Sequence, residues 1–327
     1  YWTWVTAPDL VPEGEEGSLT ASRSFKGYPA GHLLTPESIE SLRTSKPYNV
    51  LVVVLESTRY DATSLAAPGQ RLGAKTPVLA ELARTGLNAP TARAVIPHTT
   101  KSLVSILCGR YPTMQKDTFE VLLRFDIECL PGIASRAGYR SAFFQSSVGA
   151  FEFRPRLASM LGYSEFFAWE SIMGEALGYL ASDDESLGPA FTTWLNGLGG
   201  DRFFATILTS AAHHPYRLGA AARKRAKESG AATDTELERY QRLVESEDHM
   251  LGDLLEAMDS AGVRDQTIIV VVGDHGEGFG AKGVRQHDNN FYEEGLRVPF
   301  VIHAPKMEAR TIDGNVSLLD VTPTVLG

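Results

Sequence analysis

The chain has 327 residues, 43% of them hydrophobic, which is enough for a large α/β core and too much for a disordered polymer. Its 31 basic and 40 acidic residues give a formal charge of −9, a poor electrostatic footprint for general nucleic-acid binding, and Arg223-Lys224-Arg225 reads as a solvated helix face. No apolar run approaches the roughly 18 residues that a bilayer span needs.

Residues 1–46 read as an irregular N-terminal arm, with Pro12 to Gly17 a loop, ahead of a domain over 47–327. The chain opens at Tyr1 and not at Met, so processing ahead of it is expected, and membrane proximity through a removed segment stays open. Tyr1-Trp2-Thr3-Trp4 fits a packing segment better than an interfacial aromatic belt. Strands are expected at 49–56, 140–146, 202–209, 266–273 and 297–303, and helices at 76–86, 101–108, 129–137, 151–162, 185–198 and 234–261. This alternation predicts an α/β fold with a mostly parallel central sheet and helices on both faces. Leu237, Tyr240, Leu243, Val244, Met250, Leu251, Leu254 and Leu255 form a core stripe, and the Ala-rich stretch Ala220 to Ala232 reads as an insertion or lid.

Chemistry-bearing residues stand at element ends. The β-branched run from Tyr48 to Leu55 ends in Glu56. The strand from Thr267 to Val272 breaks into Gly273-Asp274-His275-Gly276-Glu277-Gly278, and side chains at such a strand end face the crevice where ligands bind in open α/β sheets. Carboxylate beside imidazole there suggests a metal site, against the plainer reading of Asp and Gly as strand punctuation. Leu103, Val104, Ile106 and Leu107 give a helical stripe stopped by Gly109 and Pro112, with Thr99 or Thr100 at its N-cap. A hydroxyl there meets free N–H groups and the positive dipole end, which suits an anion bound to it or formed on it. His213 follows the strand from Phe203 to Thr209, and His287 lies in a Gly-rich connection; each also fits a packed or surface histidine. Cys108 and Cys129 are either paired or two buried thiols.

In this order, the segments resemble the sulfatase branch of the alkaline phosphatase superfamily. Leu107-Cys108-Gly109-Arg110-Tyr111-Pro112 resembles the end of its nucleophile helix, and Gly273 to Glu277 its second metal strand. Ala211-Ala212-His213-His214-Pro215-Tyr216, Tyr292 to Phe300 and Ser317 to Thr324 extend the likeness from Tyr48 to the end. The resemblance implies a three-layer alkaline-phosphatase-like sandwich, continued in relatives beyond Gly327. Arylsulfatases carry a C/S-x-P/A-x-R signature whose first residue becomes formylglycine. Here Thr99 takes that place, with Lys101 and Leu103 where the Pro and Arg would stand, and threonine cannot be oxidised to that aldehyde.

Threonine there resembles the lipoteichoic acid synthases and lipid phosphoethanolamine transferases. That likeness implies one divalent ion held by Glu56, Thr99, Asp274 and His275. The mixed oxygen and nitrogen donors favour Mn²⁺ or Zn²⁺ over Ca²⁺ or Mg²⁺. Thr209 occupies the place of an Asp found in two-metal members, which favours a single ion. It further implies a phosphothreonine formed on Thr99, with His213 and His287 on the transferring group and leaving oxygen and Lys101 on the substrate. The expected activity moves a substituted phosphate from a lipid head group to an envelope glycan or lipid, or hydrolyses a phosphodiester. Sulfate or phosphonate ester hydrolysis, and a non-catalytic metal-binding module, are the alternatives. A monomer outside the cytoplasm is expected, and that compartment favours a Cys108–Cys129 disulfide.

Overall fold

The computed structural model describes residues 48–113, 128–287 and 289–326, so the arm expected over 1–46 lies outside the described residues. In chain order the strands are β1 (Asn49–Leu55), β2 (Leu87–Asn88), β3 (Arg140–Gln145), β4 (Glu165–Phe167), β5 (Phe203–Leu208), β6 (Thr267–Gly273), β7 (Phe300–His303) and β8 (Arg310–Thr311). The helices are α1 (Pro77–Thr85), α2 (Thr99–Cys108), α3 (Leu130–Arg136), α4 (Arg154–Leu161), α5 (Trp169–Ile172), α6 (Leu187–Asn196), α7 (Ala220–Ser229), α8 (Glu236–Ser260), α9 (Glu293–Leu296) and α10 (Val321–Leu326).

Successive side chains of β1 leave opposite faces of the sheet, and both faces are covered. Val50, Val52 and Val54 pack with α2, α3 and α4 through Leu103, Ile106, Leu130 and Leu157. Leu51, Val53 and Leu55 pack with α1, α6 and α8 through Leu79, Phe191, Met250 and Leu254. A strand buried on both faces has no polar alternation, which is why β1 reads as an unbroken apolar run. The sheet order is β4-β3-β5-β1-β6-β7-β2-β8. β1 runs parallel to β5 and β6, which flank it, while β7 is antiparallel to β6 and β2. This is the expected α/β architecture, with a mostly parallel sheet between helical layers.

Several boundaries shift for local reasons. The helix expected from 151 begins at Arg154, because Glu152 and Phe153 adopt left-handed φ values of 48° and 53°. The last expected strand starts at Phe300, after Pro299, which has no N–H to give the ladder. Residues 220–229 of the expected insertion or lid form α7, with Ala222 and Ala226 buried and Gly230 closing its end at φ 67°. β2 and β8, the last two strands at one end of the sheet, are too short to show a period in sequence. Cys108, the last residue of α2, is disulfide-bonded to Cys129, which caps α3.

Candidate active site

The register places three strand ends side by side. Leu55 pairs with Gly273 and Val54 with Leu208, so Glu56, Asp274 and Thr209 leave the C-terminal edge of adjacent parallel strands together. Glu56 and Asp274 are both buried. Ser57, at a left-handed φ of 58°, turns its N–H onto Asp274 Oδ1 at 2.9 Å, and the His275 N–H reaches the same oxygen at 2.7 Å. Burial, opposed by these donors, pushes the Asp274 carboxyl up to about 6. Burial, with the Asp274 charge next in weight, holds Glu56 well above the usual carboxylate range.

Thr99 is the first helical residue of α2, and His98 is the N-cap, with no side-chain capping bond. This corrects the expectation that Thr99 or Thr100 caps the helix by its hydroxyl. Thr99 is partly buried, and its Oγ1 lies 3.3 Å from His275 Nε2. A carbonyl only accepts, so His275 Nδ1 carries the proton it donates to the Gly276 oxygen at 2.9 Å, and Nε2 keeps its lone pair. Ser102, one turn further along α2, donates to the Asp274 carbonyl at 2.8 Å and ties the helix to this strand end.

Three imidazoles stack behind Thr99. His287 lies face to face with His275 at 4.5 Å between ring centres, and His213 meets His287 edge-on at 5.1 Å. Burial, then the neighbouring His287, holds His275 well below the ordinary histidine range and lowers His213 as well. His213 Nδ1 donates to the His214 carbonyl at 2.8 Å, which leaves its Nε2 lone pair available. Glu277 Oε2 stands 3.4 Å from His287 Nδ1. Thus Thr99, Asp274, His275, His287 and His213 come together. Lys101 is buried, donates from Nζ to the Thr113 carbonyl at 2.9 Å, and is near enough to His98 to act on its charge.

Sequence reasoning missed four charged residues here. Arg154 is 1% exposed, and its Nε and Nη1 have no hydrogen-bond partner. Burial lowers its guanidinium from the ordinary value, partly offset by the charges of Glu152, Glu56 and Asp274. Glu152 lies 3.3 Å from His98 Nε2 and 3.7 Å from Arg154, and it accepts from the Thr100 hydroxyl. Asp184 is fully buried and receives the Ser210 and Ala211 N–H groups at 2.8 and 3.1 Å, which shapes the loop leading to His213. Glu247, on α8, lies beneath Glu56 and is described below. Nothing adjacent in sequence marks any of the four.

The test of a bound cation is the state of the buried acids. Glu56 Oε2 accepts no hydrogen bond, and Asp274 Oδ2 faces His275 Nε2 at 3.3 Å, a nitrogen whose ring proton is on its other atom; carboxylate oxygens so placed inside a protein are costly. Among the described residues, no three His, Cys, Asp or Glu side chains already stand at ligating distance around a common point. The donor chemistry nonetheless fits a divalent ion: two buried carboxylate oxygens, an imidazole nitrogen with its second nitrogen anchored, and a hydroxyl. A cavity of about 370 Å³ is lined by His214, Gly278 and Gln286, which are next in sequence to His213, Glu277 and His287.

Comparison with known proteins bears on the fold and the family. An ulvan-active sulfatase of Formosa agariphila is 24% identical over 320 residues, covering 86% of this chain and 61% of that protein. Lipoteichoic acid synthase 1 of Bacillus subtilis is 25% identical over 222 residues, covering 61% of this chain and 32% of that protein. The chain therefore spans about three fifths or less of the length of these two relatives. The structure of a lipoteichoic acid synthase from Listeria monocytogenes superposes with a TM-score of 0.70 at 20% identity, covering 90% of this chain and 77% of that one. An alkaline phosphatase superfamily protein from Vibrio parahaemolyticus superposes with a TM-score of 0.69 at 17% identity, covering 90% and 75%. The sulfatase family model matches residues 48–327, nearly all of the chain beyond the arm, and the chain belongs to the sulfatase family.

Proposed function

We propose that this chain is the catalytic part of a metal-dependent enzyme that transfers or hydrolyses phosphate esters through a phosphothreonine on Thr99. The observation that carries the reading is the Thr99 hydroxyl at the first turn of α2, 3.3 Å from a lone-pair nitrogen of His275 that itself stands 3.3 Å from the buried Asp274 Oδ2. Glu56, Asp274, His275 and Thr99 would hold the ion, with Mn²⁺ or Zn²⁺ preferred. Bound there, the ion lowers the pKa of the threonine hydroxyl and polarises a phosphoryl oxygen.

The chain's own residues account for the rest. The Thr99 oxygen attacks phosphorus, and the bond from phosphorus to the leaving alcohol breaks. The Arg154 guanidinium offers two unmatched donors in a dry site, where they are worth most against developing phosphoryl charge. Within the His213 and His287 pair, His287, whose Nδ1 stands 3.4 Å from the Glu277 carboxylate, supplies the proton to the leaving oxygen. A water or acceptor alcohol then attacks the phosphothreonine, the bond from phosphorus to the Thr99 oxygen breaks, and the His213 Nε2 lone pair takes the attacker's proton, which restores the pair. Lys101 contributes positive charge at the same helix end, and the cavity lined by His214, Gly278 and Gln286 receives part of the ester's substituent, a lipid head group or glycan. The disulfide supports action outside the cytoplasm, and among the described residues no helix is long and apolar enough to cross a membrane.

A second reading, sulfate ester hydrolysis, is favoured by the likeness to the ulvan-active sulfatase. Incubation with bis(p-nitrophenyl) phosphate and Mn²⁺, an acid quench and intact-mass measurement separate the two. The proposal expects a phosphoryl adduct on wild-type protein that maps to Thr99 and is absent from Thr99→Val. Aryl sulfate turnover without any adduct would establish the sulfate reading, and Mn²⁺ binding without turnover of either ester would establish a binding module.

A further inference from the structure

The long helix α8 reads as a core stripe, yet Tyr240 and Glu247 on it are polar, fully buried and two turns apart on the face that meets the end of β1. Glu247 Oε1 accepts from the Thr209 hydroxyl at 2.7 Å, and Oε2 accepts from the Thr58 hydroxyl at 2.6 Å. Thr209 Oγ1 in turn accepts the Glu56 N–H at 2.8 Å, and Thr58 Oγ1 lies 3.3 Å from the Glu56 carbonyl. The two hydroxyls spanned by one carboxylate therefore bracket the peptide groups on either side of Glu56. Tyr240 completes the hold: its hydroxyl accepts the Arg59 N–H at 3.0 Å and donates to the Ser57 carbonyl at 2.8 Å.

We propose that Glu247 is a positioning residue for the cation site: through the Thr209 and Thr58 hydroxyls it fixes the backbone of Glu56, so that the orphaned carboxylate oxygen is aimed before the ion arrives. The proposal rests on the metal reading above and adds the residue that orients one of its ligands. A carboxylate is suited to this task because it accepts from both hydroxyls at once, while each hydroxyl keeps its oxygen turned toward the strand end. Partners of this outer kind set ligand orientation, and their loss typically weakens metal binding by about 10–100-fold. Asp248, the next residue on α8, receives the Val78 and Leu79 N–H groups at the start of α1. The same helix turn thus supports a neighbouring helix as well as the site.

The test is calorimetric titration of the purified chain with Mn²⁺ alone, beside a thermal melt in the absence of metal. Glu247→Gln keeps the shape but offers an amide N–H₂ where one hydroxyl needs an acceptor, and Thr209→Val removes the hydroxyl isosterically. Both are expected to melt as folded proteins yet bind Mn²⁺ about 10-fold or more weakly. Thr209→Ser, which keeps the hydroxyl, is expected to restore wild-type affinity. Wild-type Mn²⁺ affinity in folded Glu247→Gln and Thr209→Val overturns the proposal. If Glu247→Gln fails to fold, the Thr209→Val and Thr209→Ser pair decides alone, equal weakening in both overturning it. Absence of Mn²⁺ binding by the wild-type chain instead overturns the metal reading, and is recognisable because no variant is needed to see it.

Discussion

The Thr99 hydroxyl and His275 Nε2 meet at 3.3 Å although 176 residues separate them in sequence. The contact joins the first turn of a helix to the end of a strand, two rigid elements tied by the bond from Ser102 to the Asp274 carbonyl. Because Thr99 makes no capping bond, its hydroxyl is not committed to holding the helix together. Thr99→Val is accordingly expected to cost less than about 1 kcal/mol of stability, the usual worth of a cap, while phosphodiester turnover falls by at least about 100-fold. Thr99→Ser should keep measurable turnover. A melt and a rate measurement on the same preparations check both halves.

Protons and metal compete for the strand ends. With the Asp274 carboxyl raised to about 6 and Glu56 raised well above its usual range, the folded metal-free chain binds these protons more tightly than the unfolded one. Their contribution to stability is fully present below the unfolded carboxylate range and is lost as pH rises through about 6. Saturating Mn²⁺ should reverse that slope above pH 6, since the ion takes the place of the protons. Mn²⁺ binding should release protons, visible as a heat that depends on the ionisation enthalpy of the buffer, and that release should shrink as pH rises through about 6. A metal-free melting temperature that climbs from pH 4 to 7 would contradict the assignment.

Arg154 is held at a cost to the fold, since a buried guanidinium with two unmatched donors is poorly compensated. Arg154→Met is expected to leave the melting temperature of the ligand-free chain unchanged or higher, and to reduce kcat/KM on a phosphodiester by about 100-fold. Arg154→Lys should not rescue it, because an ammonium cannot reproduce the planar fork. Loss of stability together with unchanged kcat/KM would make Arg154 a structural partner of Glu152 alone.

Gly276 illustrates a close approach that no side chain tolerates. A Cβ there would lie 2.0 Å from the Glu294 carbonyl oxygen, and the Gly276 N–H donates to the Gly295 carbonyl at 2.8 Å. The Gly276 oxygen is also the acceptor that orients His275. Gly276→Ala should destabilise the chain by about 3 kcal/mol, the upper range for overpacking, and weaken Mn²⁺ binding. A chemical denaturation curve and a titration measure the two effects.

How much of this was legible in sequence differs between the strand ends and their surroundings. Glu56, Asp274 and His275 could be found because a buried parallel strand writes itself as a continuous apolar run, and a charged residue that breaks such a run is a local event. Thr99 could be found only as a helix start, and even there the N-cap position belongs to His98, since a one-residue shift in a helix boundary leaves the apolar stripe unchanged. His213 and His287 lie in connections with no period of their own, and the resemblance to sulfatases, more than their residue type, singled them out.

Arg154, Glu152, Asp184 and Glu247 left no such trace. Each sits in a stretch whose neighbours suit a surface helix or loop, and Glu247 lies on a helix whose pattern speaks only of packing. What the amino-acid order determined by itself is the α/β alternation and which strands end in reactive groups, because hydrophobic period and its interruption depend on neighbours along the chain. What the tertiary structure decided is which charges are withdrawn from water and which hydroxyls aim them. Burial of a charged group depends on distant elements closing over it, and Thr58 and Glu247, 189 positions apart, carry no local record of their contact.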